Sequence, residues 1–165
     1  MELGESFVGS GPDAAHVNTV LGPKDGPVGH AWATALATPT AGHAPFVAVL
    51  QPGLPVKPLT LFVNKATIAG DDHARMTRGA AQAGVAAGVA DAVAAEMISA
   101  EDAEQLVLIA AVWVDPRSRD AEAVFANNRE ATRSALVIGR AGLPVADDAA
   151  SKRNDAWNPF FRSER

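Results

Sequence analysis

The spacing of apolar and polar residues changes several times along the chain, and each change predicts an element. Glu2 to Val8 predicts a first strand, closed by the turn-rich Gly9-Ser10-Gly11-Pro12-Asp13. From His16 to Leu21 the residues Val17, Thr19, Val20 and Leu21 favour a second strand, which Gly22-Pro23 ends. Side chains alternate between the faces of a strand, so His16 and Asn18 point the same way. Pro27 suits the first turn of a helix, and Ala31, Trp32, Ala35 and Leu36 recur at helical spacing until Pro39. Phe46 to Leu50 predicts a compact strand and Pro52 to Pro58 an irregular connection. Leu59 to Ile68 predicts another strand, with Lys65 and Thr67 on one face.

In the second half Asp71 is placed to cap a helical segment, and an Ala/Gly/Val stretch after Gly79 predicts a long helix to about Ile98. Gly84, Gly88 and Ala92 recur every four residues, a smooth stripe that permits close approach to a sheet or another helix. Asp91 and Glu96 interrupt the stretch, which points to packing in water and not to a membrane contact. Ser99 with Asp102 predicts the cap of a short helix. The unbroken apolar run Leu106 to Val114 predicts a strand buried on both faces at the centre of the sheet. Arg119 to Arg140 predicts a last long helix, with Val124, Phe125, Thr132, Ala135 and Leu136 on one side, ended by Gly142 and Pro144. The whole reads as an α/β (α+β) two-layer sandwich: a single domain over 1–165, with 147–165 a polar C-terminal tail until Trp157-Asn158-Pro159-Phe160-Phe161.

Composition narrows the classes of function. The 165 residues are enough for one domain with a real core, and 48% hydrophobic with 20% charged residues is ordinary for a soluble globular protein. A formal charge of -5, with Lys and Arg scattered, argues against nucleic acid as a partner. There is no cysteine, so disulfides and thiolate chemistry are excluded, in keeping with a reducing cytoplasm. Met-Glu-Leu-Gly-Glu does not look like a signal peptide and the longest apolar run is too short to span a bilayer, so a cytoplasmic protein without membrane partners is expected.

Local motifs alone give little chemistry. Gly9-Ser10-Gly11-Pro12-Asp13-Ala14 matches a loose dinucleotide fingerprint, but the segment after it is a strand where the fingerprint needs a helix, so a plain turn is the reading. His16, His30, His43 and His73 lie far apart without a metal-ligand spacing, and no metal is expected. A histidine taken singly is more often structural than catalytic. Asn64-Lys65-Ala66-Thr67 reads as a polar strand edge, and Gln82, in the first turn of an apolar helix, as a side chain facing water.

Taken in order, several stretches resemble the formaldehyde-activating enzyme family. They are Gly4-Glu5-Ser6-Phe7-Val8-Gly9 leading to Ala15-His16-Val17, then Leu54-Pro55-Val56-Lys57-Pro58-Leu59-Thr60-Leu61 and Asn64-Lys65-Ala66-Thr67-Ile68. Ala81-Gln82-Ala83-Gly84-Val85-Ala86, Asp91-Ala92-Val93-Ala94 and Asn128-Arg129-Glu130-Ala131-Thr132 complete the series. The resemblance implies a fold like the second domain of ribosomal protein S5, a homopentamer, and a pterin site between neighbouring subunits. It implies His16 as the catalytic residue and Asn18, Val47, Lys65, Thr67 and Gln82 as pterin contacts. Amide and hydroxyl groups suit a pterin's polar edge, and Val47 suits its flat ring. The family commonly has aspartate where this chain has Asn18, which puts pterin affinity, pterin identity and the His16 pKa in question.

The implied reaction condenses formaldehyde with tetrahydromethanopterin, a co-substrate and not a tightly bound cofactor, to give methylene-tetrahydromethanopterin and water. A hydroxymethyl adduct must expel water, and histidine is the side chain best suited to protonate the departing oxygen near neutral pH. Lys65 would bind a polar pterin edge or, as the alternative role, capture formaldehyde as a Schiff base. Two other readings stand beside this one: a non-catalytic relative that binds or senses formaldehyde or a pterin, and an enzyme using a different reduced pterin such as tetrahydrofolate.

Overall fold

The structure is a computed structural model, and it describes residues 1–158. Of the aromatic tail, Phe160 and Phe161 lie outside the described residues. In chain order the strands are β1 Glu2–Val8, β2 Ala15–Pro23, β3 Phe46–Val47, β4 Val49–Gln51, β5 Leu54–Pro55, β6 Leu59–Asn64 and β7 Leu106–Trp113. The α-helices are α1 Pro27–Ala37, α2 Asp71–Arg75, α3 Gln82–Ala94, α4 Ala100–Gln105, α5 Ala121–Arg140 and α6 Ala146–Ser151. No helix among the described residues is long and apolar enough to cross a membrane.

Five strands form one sheet in the order β1-β2-β7-β6-β3, with the apolar β7 at its centre as the sequence predicts. β1 with β2, β2 with β7 and β3 with β6 pair antiparallel, while β6 and β7 are parallel, so the chain between them must cross over. Helices α2 to α4 make that crossover. The expected α+β sandwich is therefore present, with helices α3 and α5 as its second layer.

Alternation decides what each face of the sheet does. Val17, Phe62, Ala110 and Val112 point to the helical layer and are fully buried. Burying a side chain of Val or Phe size stabilises by about 1.5–3 kcal/mol, so this face carries much of the fold. Small residues let the layers close up. A Cβ on Gly4 would overlap the carbonyl oxygen of Ala135 in α5, and one on Gly84 or Gly88 would overlap those of Phe125 or Arg129. The Gly84-Gly88 stripe thus packs against a helix, and Arg129 clamps Asp91 across the same contact at 2.6 and 2.7 Å.

The opposite face is less covered. Ile109, Ala111 and Trp113 of β7 are only half-buried, so the prediction of burial on both faces holds for one face only. The reason is that, among the described residues, the helix packed there is α1, with Val28 against Gly22 at one end of the sheet.

Other boundaries shift for local reasons. The strand predicted over 59–68 stops at Asn64, because the Asn64 amide donates to Gly42 O at 2.7 Å and Ala66 O at 2.9 Å and bends the chain away. Phe46 to Leu50 is split between β3 and β4, the latter pairing with β5 in a separate two-stranded sheet within the predicted irregular connection. Asp71 is the first helical residue and not the cap, a position taken by Gly70. A π-helical turn, Met76–Ala81, joins α2 to α3. The helix ends at Ala94, short of Ile98, where Glu96 adopts a left-handed φ of 55° and the Met97 and Ile98 amides turn back to Ala92 O.

The Gly9–Asp13 segment is a turn followed by strand, as read from the sequence. Its Asp13 carboxylate accepts from the amides of Arg119 and Asp120, where Asp120 itself caps α5. Ser99 accepts from the Asp102 amide at 3.0 Å, the predicted cap of α4.

Candidate active site

The half-covered sheet face carries an ordered row of polar side chains. In β2, His16 and Asn18 point to this face while Ala15, Val17 and Thr19 are buried beneath. The registers place Phe7 beside His16 and His16 beside Trp113, with Glu5, Asn18, Ala111 and Val63 in the next row. Phe7 and His16 stack with ring centroids 5.1 Å apart. Glu5, diagonal to His16 across the strand pair, holds its Nε2 at 2.8 Å.

Lys65 completes the row from the far side of β7. Its amide still donates to Val112 O at 2.8 Å, which holds the residue at the end of the β6 ladder. From there the side chain reaches across β7, where Ala111 offers only a methyl group in the way. Lys65 Nζ donates to Asn18 Oδ1 at 2.6 Å and lies 3.3 Å from His16 Nδ1.

These contacts define the protonation pattern. A carboxylate only accepts, so His16 Nε2–H donates to Glu5, leaving Nδ1 to accept from the Lys65 ammonium. Burial first, and the Lys65 charge second, push the His16 pKa below 6.5, while Glu5 opposes them. Burial also lowers the Lys65 pKa, with Glu5 again opposing. The trio therefore places the Lys65 ammonium within hydrogen-bond reach of the His16 Nδ1 lone pair, with a carboxylate to steady the imidazole on its other nitrogen.

The other predicted residues lie elsewhere. Thr67 is exposed beyond the bend at Asn64, so it does not share a strand face with Lys65 as predicted. It faces His43, whose Nδ1 lies 3.0 Å from Asn64 O and whose Nε2 lies 3.0 Å from Thr67 Oγ1. The carbonyl can only accept, so Nδ1 carries the proton and Nε2 accepts from the threonine hydroxyl.

Val47 and Gln82 sit at the β3 edge of the sheet, lining with Phe46, Val49 and Arg78 an open depression of about 410 Å³. Gln82 does not face water as its sequence context suggests. It is buried, accepting from the Val49 amide at 2.8 Å and donating to Val49 O at 3.2 Å, which draws β4 away from the main sheet. Val47 is three strands from His16 and pairs with Leu61, four residues before Lys65, a separation on the order of 15–20 Å.

Sequence reasoning missed Glu5, Phe7 and His43 as members of these clusters. Strand alternation alone puts Glu5 and Phe7 on one face, but which face of β2 they meet depends on a register that no local signal sets. The remaining histidines differ from His16. His73 is buried between the Ala69 amide and Val114 O at 3.0 Å each, and His30 is exposed.

Comparison with known proteins gives a consistent result. The family model described as formaldehyde-activating enzyme matches residues 3–161. A 5,6,7,8-tetrahydromethanopterin hydro-lyase of Methanosarcina barkeri is 39% identical over 158 residues, covering 96% of this chain and 89% of that protein. A bifunctional enzyme Fae/Hps of Methanococcoides burtonii is 42% identical over 156 residues, and one of Methanosphaera stadtmanae is 37% identical over 160. This chain spans 39% of the length of each of these two bifunctional proteins. With a match over nearly all of its length, the chain belongs to the formaldehyde-activating enzyme family.

Proposed function

We propose that this chain is a lyase that condenses formaldehyde with tetrahydromethanopterin, with His16 as the acid that expels water. The observation that carries the reading is the Glu5–His16–Lys65 row: a histidine held at both nitrogens, on a face open to a substrate. The family membership and the name of the Methanosarcina barkeri relative supply the substrates. Lys65 passes a proton to His16 Nδ1, and the imidazolium protonates the hydroxyl of the hydroxymethyl adduct as its C–O bond breaks. The amine left on Lys65 takes up the proton that the second pterin nitrogen loses on ring closure. Glu5 holds Nε2 and stabilises the imidazolium while it lasts. General acid catalysis of this kind contributes typically 10²–10⁴-fold.

Asn18, Val47, Lys65, Thr67 and Gln82 make the pterin contacts in this reading. Val47 stands on the order of 15–20 Å from His16 in one chain, with Gln82 bonded to Val49 beside it, which supports a pterin bound between two copies in a homo-oligomer, a pentamer by family resemblance. Gln82 then meets the pterin with the one N–H and the one lone pair that Val49 leaves over. The reaction belongs to cytoplasmic one-carbon metabolism or formaldehyde detoxification.

The test is the rate of methylene-tetrahydromethanopterin formation, followed by absorbance with and without the protein. Acceleration above the protein-free rate is expected, and tetrahydrofolate should react no faster than its own control. Equal rates with and without protein would refute the reading. Tight pterin binding at that uncatalysed rate would establish a binding module instead.

A further inference from the structure

Lys65 is built differently from the other lysines with described contacts. Lys57 pairs with the Glu104 carboxylate at 2.7 Å, and Lys24 reaches the Glu104 carbonyl at the surface. Lys65 is half-buried, and its two hydrogen-bond partners, Asn18 Oδ1 and His16 Nδ1, are both neutral. One of them is a base 3.3 Å away, able to take the ammonium proton and already braced by Glu5 on its other nitrogen. The titratable groups facing Lys65 are thus His16 and, beyond it, Glu5. An aspartate in place of Asn18 would bind the ammonium as an ion pair, so in this chain the asparagine leaves the amine freer to react.

We propose that Lys65 captures formaldehyde covalently, carrying it as an iminium before transfer to the pterin. The inference rests on formaldehyde being the substrate and moves the dehydration from a pterin adduct to a lysine adduct. The Lys65 ammonium first passes a proton to His16 Nδ1. The freed Nζ lone pair forms a C–N bond with the aldehyde carbon, and the carbonyl π electrons move to oxygen, which takes up a proton from the same nitrogen. His16 Nδ1–H then protonates that hydroxyl, the C–O bond breaks, and water leaves as the nitrogen lone pair closes the C=N bond. The sum is ammonium plus formaldehyde giving methylene-iminium plus water, with no proton left over. Attack by one pterin nitrogen and ring closure by the second return Lys65 as ammonium, which takes the two protons the pterin nitrogens lose.

Capture is tested without any pterin. The wild-type protein is incubated with limiting carbon-13 formaldehyde and cyanoborohydride near neutral pH, then digested and mapped by mass spectrometry. A labelled methyl group is expected at Lys65 several-fold faster than at Lys24, Lys57 or Lys152. Asn18→Asp should slow labelling at Lys65 alone, with the difference fading as the pH is raised and the amine deprotonates in both proteins. Labelling of Lys65 no faster than of the other lysines would overturn the proposal. Because no pterin is present, the two readings fail separately. Accelerated condensation with an unreactive Lys65 refutes capture and leaves the lyase standing, whereas a reactive Lys65 without condensation refutes the lyase.

Discussion

The two faces of one sheet divide the work of this protein. Val17 and His16 are neighbours in sequence, yet Val17 is fully buried under the helical layer while His16 lies on the half-covered side between Glu5 and Lys65. The covered face is mostly apolar, and polar side chains such as Thr60 and Asn64 are admitted there with backbone carbonyls as partners, because an unpaired polar group there costs free energy. The other face holds a charged row because water and neighbouring polar groups satisfy it. Stability and chemistry thus sit on alternate residues of the same strands, and substitutions on the two faces should separate them.

The largest effect on stability is expected from the covered face. Phe62→Ala removes a fully buried ring stacked on Phe46, and should cost about 3–5 kcal/mol in urea unfolding. A cost below about 1 kcal/mol would mean that this face is not the stabilising one.

Gln82→Ala comes next. It frees the amide and carbonyl of Val49 and should cost about 1–2 kcal/mol, together with a raised KM for the pterin. A raised KM at unchanged stability would show the glutamine acting on ligand alone.

On the open face the effect appears as pH dependence. The His16 pKa is lowered by folding, so the unfolded chain takes up the proton first as pH falls below 6.5. The contribution of His16 to stability is therefore full above 6.5 and declines as pH falls toward its folded pKa. Asn18→Asp adds a carboxylate beside Lys65 and raises the basicity of both nitrogens, which makes this decline shallower. It also moves the alkaline limb of the rate profile to higher pH. An unmoved limb would separate His16 and Lys65 from the rate-determining proton transfer.

The smallest effect belongs to the surface. Asp91→Asn weakens the ion pair with Arg129 across α3 and α5 and should cost no more than about 1 kcal/mol, less at high salt.

Much of this division was legible in the sequence. The alternation in β2 put His16 and Asn18 on one face, the apolar run marked β7 as central, and the Gly84-Gly88 stripe announced a close contact. What escaped was what depends on contacts distant in sequence. The Asn64 amide ends β6 early by binding Gly42, and the Gln82 amide breaks the Phe46–Leu50 strand by taking Val49. Neither can be read locally, since each pairs residues at least twenty positions apart. The Glu5–His16 contact escaped for the same reason, as it requires the β1–β2 register. Two of the stretches that carry the family resemblance, around Asp91 and Arg129, meet in a helix contact and serve the fold more than the chemistry.

The most direct test of the central claim sets His16→Ala beside the wild type in the condensation of formaldehyde with tetrahydromethanopterin, with the protein-free rate subtracted and unfolding measured on the same samples. A loss of about 10²-fold or more in the catalysed rate, with stability changed by less than about 1 kcal/mol, is the predicted result. A variant that keeps the wild-type rate, or loses it only by unfolding, would contradict the assignment of the chemistry to the open face.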